Sequence, residues 1–96
     1  MERRDVQRYW VYILSCSDGS LYTGVTADVE RRILRHSAGR ASKYTRSRLP
    51  VTLAYLEEAA SKGQALRRES AIKRLSRAQK LLLCRSHPAR LPQSLR

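Results

Sequence analysis

The turn Ser17-Asp18-Gly19-Ser20 constrains this chain most, because it joins two strand-like runs and its length decides which of their side chains share a face. The first run, residues 9–15 (Tyr-Trp-Val-Tyr-Ile-Leu-Ser), and the second, Leu21 to Thr26, are rich in β-branched and aromatic residues. A two-residue loop at Asp18-Gly19 pairs Ser17 with Ser20 and sends Tyr12 and Tyr22 to opposite faces. A three-residue loop, Ser17-Asp18-Gly19, with Gly19 left-handed in a G1 bulge, pairs Cys16 with Ser20 and Tyr12 with Gly24. Tyr12, Tyr22 and Gly24 then lie on one face. The second register is expected, because Gly24 carries no side chain and leaves room beside Tyr12 for a phosphate.

Beyond the hairpin, Thr26 or Asp28 is placed to cap a helix of near ten residues whose core stripe is Val29 and Ile33, with Gly39 as its stop. From Gly39 to Pro50 the chain is a polar, cationic loop, and Val51 to Leu56 resumes strand character. Ser61 with Gln64, and Ser76 with Gln79, have the spacing of capping boxes and start two further helices. The expected fold is α/β in the sense of an α+β sandwich: a three-stranded, largely antiparallel sheet flanked by helices, in the order β-β-α-β-α-α. Residues 1–8 form an N-terminal extension, 9–86 the domain, and 87–96, with two prolines, a loosely held basic tail.

Ninety-six residues suffice for one core and leave no room for a separate targeting domain. Twenty Lys and Arg against eight Asp and Glu, a net charge of +12, create a field that concentrates polyanions and favours nucleic acid as partner. Charge alone does not separate DNA from RNA. The apolar stretch from Tyr9 to Leu14 is too short for a signal peptide or a membrane span, and no membrane role is expected. Cys16 and Cys84 make no zinc spacing and no disulfide framework, which fits a reducing, cytoplasmic setting.

Asp28, Arg32 and His36 follow at i, i+4 and i+8 on the first helix, one stripe beside its core face. Arginine there can grip a phosphate through two parallel donors, and histidine can donate to it or move a proton. The plainer alternative is an Asp28–Arg32 surface ion pair with His36 as a satisfied helix-end residue. On the second helix Ala65, Leu66 and Ile72 define an apolar sector, and at about 100° per residue Glu69 projects into its middle. An inward carboxylate is costly unless paired or bound to metal, so Glu69 is either a Mg²⁺ ligand or half of a buried ion pair, with Arg32 as a candidate partner. Arg40, Lys43, Tyr44, Arg46 and Arg48 in the loop, and Lys73 on the second helix, are the candidate nucleic-acid contacts, Tyr44 as a stacking surface.

Val11-Tyr12, Tyr22-Thr23-Gly24, the helix bearing Arg32 and His36, and the later Glu69 together resemble the GIY-YIG nuclease family from about Trp10 to Leu83. Trp10 stands where the first motif has glycine, and Thr23 replaces the isoleucine of the second. That variation, with Lys43-Tyr44-Thr45, looks like the small stand-alone branch of the family. The resemblance implies a metal-dependent endonuclease that hydrolyses DNA phosphodiester bonds, structure-selective in repair or recombination. It assigns water activation to Tyr12 or Tyr22, the scissile phosphate to Arg32, a further catalytic place to His36, and a single Mg²⁺ or Mn²⁺ to Glu69. The alternative is a weakly catalytic or non-catalytic nucleic-acid-binding module acting with a partner protein. DNA is expected ahead of RNA in either case.

Overall fold

The computed structural model describes residues 8–86; the expected basic tail and all but Arg8 of the N-terminal extension lie outside the described residues. Strands β1 (Tyr9–Ser15), β2 (Leu21–Thr26) and β3 (Thr52–Ala59) alternate with helices α1 (Val29–Ser37), α2 (Lys43–Arg46), α3 (Lys62–Lys73) and α4 (Arg77–Ser86). They build one antiparallel sheet in the order β2-β1-β3, flanked by the helices. This is the expected α+β arrangement with one addition: a single helical turn, α2, inside the cationic Gly39–Pro50 segment. Its cap is Ser42, whose hydroxyl accepts from the Thr45 N–H at 3.1 Å. A helix of one turn carries no periodicity, so only the cap could have announced it.

The hairpin adopts the three-residue loop. Gly19 has φ +85°, the Cys16 N–H donates to the Ser20 carbonyl at 2.9 Å, and Tyr12 stands opposite Gly24. Asp18 pins the turn by accepting from both the amide and the hydroxyl of Ser20. As the central strand, β1 is covered on both faces and reads as a nearly unbroken apolar run. Val11 and Ile13 pack with Tyr55, Ala59 and, from α3, Ala65 and Ile72; Tyr12 and Leu14 pack on the other face with Cys16 and Val51. Each large buried apolar side chain contributes about 1.5–3 kcal/mol.

Asp28, not Thr26, caps α1, accepting from the Arg31 N–H at 3.2 Å. Gly39 ends that helix at φ +75°, with the Arg40 N–H returning to the Arg35 carbonyl at 2.9 Å. The Ser76–Gln79 box closes reciprocally, whereas Gln64 reaches past Ser61 to the Ala60 N–H. Leu66 departs from expectation: it is 45% exposed. The buried stripe of α3 is Ala65 and Ile72, seven residues apart, and Leu66 is turned about 100° away from it. No described helix is long and apolar enough to cross a membrane.

Candidate active site

The β1–β2 register stacks four rings over one face of the sheet. Tyr12 lies against Gly24, its hydroxyl 2.9 Å from His36 Nε2, and Tyr22 sits with its ring centroid 6.4 Å from Tyr12 and 5.2 Å from His36. Tyr44 of α2 stacks on Tyr22 at 5.9 Å. His36, in the last turn of α1, is completely buried, its Nδ1 2.8 Å from the Thr45 hydroxyl. Thr45 is also fully buried. The Lys43-Tyr44-Thr45 motif includes it, but nothing local says that its hydroxyl will meet a histidine nine residues earlier.

Burial holds His36 below the ordinary imidazole range, and the nearby Arg32 charge pushes the same way, so the ring is neutral at pH 7. A neutral ring has one N–H. The matched set directs the Tyr12 proton to Nε2, the Nδ1–H to Thr45, and the Thr45 proton to Ser42. That tautomer gives every group in the chain a partner. Tyr12 itself is pushed up to about 12, first by burial and then by Tyr22, with Arg32 opposing and Glu69 adding a smaller upward push. Tyr12, Tyr22, Arg32, His36 and Glu69 are therefore brought into one electrostatic neighbourhood.

Glu69 flanks the buried stripe of α3, between Ala65 and Ile72, with its side chain 19% exposed. Its ion-pair partner is Lys73 at 3.3 Å, one turn along the same helix, rather than Arg32. Among the described residues no group of three or more His, Cys, Asp or Glu converges. A lone carboxylate suits Mg²⁺ or Mn²⁺, whose remaining positions go to waters and substrate phosphate oxygens, and does not suit a closed zinc site. Asp28 is spent on the helix cap; with Arg31, Arg32, Arg35 and Thr26 it lines a notch of about 220 Å³ beside the site.

The candidate nucleic-acid contacts divide. Lys43, Arg40 and Arg46 are exposed, and Lys73 is half occupied with Glu69. Arg48 is built into the fold: it pairs with Asp18 at 2.9 Å, donates to the Tyr44 carbonyl at 2.9 Å, and lies 3.8 Å above the Tyr44 ring. Tyr44 has two partners inside the protein, Arg48 and Tyr22, and remains 38% exposed. The Asp18 carboxyl is held below its usual range, chiefly by the Ser20 hydroxyl and amide, with Arg48 adding to them.

The profile of the GIY-YIG catalytic domain matches residues 8–81. A UPF0213 protein of Halobacterium salinarum is 59% identical over 70 residues, covering 73% of this chain and 91% of that protein. One of Staphylococcus haemolyticus is 54% identical over 74 residues, 77% of this chain and 90% of that protein. The solution NMR structure of a UPF0213 protein of Bacillus halodurans is 47% identical, with a TM-score of 0.54, over 82% of this chain and 84% of that one. A second NMR structure, of a protein of E. faecalis, is 33% identical with a TM-score of 0.58, over 96% of this chain and all (100%) of that one.

Proposed function

This chain belongs to the GIY-YIG family, a nuclease fold family, and on that premise we propose that it is an endonuclease hydrolysing phosphodiester bonds with one divalent ion, Mg²⁺ or Mn²⁺. The observation that supports this most is the Tyr12 hydroxyl 2.9 Å from Nε2 of the neutral His36, within the fields of Arg32 and Glu69. Tyr12 is a poor base by itself with a pKa near 12. It becomes a relay when its proton passes to His36 Nε2 as it accepts one from the attacking water at its own oxygen. The histidine takes up a proton only transiently, because burial disfavours its charged form. Arg32 supplies planar donors for the scissile phosphate and for the charge that builds on it, and Tyr22 packs beside both partners of the relay. Glu69 would hold the ion, which when bound supplies positive charge that polarises the phosphoryl oxygens.

DNA is the expected substrate ahead of RNA, at branched or damaged structures of the kind met in repair and recombination, where shape replaces base reading. The free thiols of Cys16 and Cys84 fit a cytoplasmic setting, and a protein partner is expected to supply targeting. The test is a nicking assay on single-stranded, nicked, flapped and four-way DNA with Mg²⁺ or Mn²⁺. Glu69→Gln should abolish cleavage while binding persists or tightens; a wild type that cuts no DNA or RNA of any structure sinks the enzyme reading. One observation favours the second reading, a weakly cleaving binding module: Lys73 sits on the carboxylate that a metal needs.

A further inference from the structure

A separate cavity of about 430 Å³ opens at the hairpin tip, walled by Asp18, Leu21, Tyr44, Arg77 and Lys80. Its charges are unequal. Asp18 is already matched by Arg48 and by two donors from Ser20, whereas the cations from the first turn of α4 are not matched. Arg77 spends one nitrogen on the Gly19 carbonyl, at 2.6 Å, and keeps its other N–H groups; the Lys80 ammonium has no partner among the described residues. The cavity therefore presents two cationic donors beside an apolar and aromatic wall, Leu21 and Tyr44. Tyr44 is also the ring that stacks on Tyr22, so the cavity stands one aromatic ring away from the Tyr12–His36 centre.

We propose that this cavity is the subsite for one unpaired nucleotide of the bound strand, its phosphate on Arg77 and Lys80 and its base against Leu21 and Tyr44. The volume lies in the range of about 300–1,000 Å³ of small-ligand pockets. A base still stacked in a duplex cannot enter a concavity of that kind; an extruded or unpaired one can. The subsite deepens the nuclease reading, and rests on it for the statement that the bound strand is the one cut. It makes the enzyme selective for bulges, flaps or gaps near the scissile bond.

The full-length protein, isotopically labelled, is titrated by NMR with deoxycytidine monophosphate, with deoxycytidine and with inorganic phosphate. The monophosphate should shift the amides of Gly19, Ser20, Leu21 and Tyr44 saturably and bind more tightly than either fragment. Lys80→Gln should weaken it by about tenfold. In parallel, anisotropy compares a duplex carrying a single-nucleotide bulge with the fully paired duplex at one salt concentration. Preference for the bulge should fall towards unity in Lys80→Gln and persist in Glu69→Gln. Lys80 is the decisive variant, since Arg77→Gln also removes a hairpin contact. Equal binding of phosphate and nucleotide, or an unchanged bulge preference in Lys80→Gln, overturns the subsite. Lys80-dependent bulge binding in a wild type that cuts nothing supports the subsite and removes the nuclease reading.

Discussion

The Tyr12 ring lies so close over Gly24 that a methyl group added there would stand 2.5 Å from the Tyr12 hydroxyl oxygen and 2.6 Å from the carbon that bears it. Tyr12 is 1% exposed and hydrogen-bonded to His36, so it has no free space into which to swing. The vacancy on Gly24 is filled by a tyrosine of the same protein, and the Tyr12 hydroxyl owes its position to it.

Gly24→Ala should therefore destabilise the fold by about 1–3 kcal/mol in urea denaturation, the usual cost of overpacking. Nicking should fall at least about tenfold as Tyr12 leaves His36. In a Tyr12→Ala background the same substitution should cost less than about 0.5 kcal/mol. An equal cost in both backgrounds would show that the clash is not with Tyr12.

His36 gives the protein an acid limit. Its folded pKa lies below the unfolded value of about 6.5, so above pH 6.5 both states are neutral there and nothing is lost. As pH falls from 6.5 towards the folded value the unfolded chain binds the proton first, and stability declines. Urea midpoints from pH 7.5 down to 4.5 should show that decline in wild type and a shallower one in His36→Gln. Identical slopes would mean that burial and the Arg32 charge do not hold the ring neutral.

Tyr12 should ionise well above the ordinary phenol range. The ultraviolet difference between wild type and Tyr12→Phe should show a phenol ionising near pH 12, and stability should drop as pH rises from 10 towards that value, since the unfolded phenol ionises first. The nicking rate between pH 6 and 9 should carry no inflection from Tyr12 ionisation. An extra ionisation near pH 9 in the wild type would contradict the relay.

Charge reversal at Lys43 and Arg46 should weaken binding to any sequence and reduce the log–log salt slope by about one per lost contact. Arg48→Gln should act differently, costing about 1 kcal/mol or more of stability because Asp18, Tyr44 and the loop all depend on it. A larger loss of nucleic-acid affinity in Arg48→Gln than in the double reversal would reverse that division.

Removing Lys73 should free Glu69. Since the pair is partly exposed, Lys73→Gln should lower the half-saturating Mg²⁺ concentration for nicking by only about two- to fivefold. An increase would mean that Lys73 serves the substrate phosphate more than it competes with the ion.

What the sequence by itself determined was local. Asp18-Gly19 set the turn because only glycine adopts φ +85° without strain, and a period of two then carried that register to Tyr12, Tyr22 and Gly24. The spacing of Ala65 and Ile72 was enough to put Glu69 beside the buried stripe of α3, and serines at helix starts marked the caps. Leu66 lies outside the covered face: periodicity gives an angle and not the width of the face that a sheet covers. Tertiary structure alone decided that His36 would be sealed between Tyr12 and Thr45, and that Arg48 would pair with Asp18 and lie over Tyr44. Turn and helix signals depend on neighbours a few residues apart. The partners of a buried polar group depend on which donors other elements bring within 3 Å, a distance no spacing along the chain specifies.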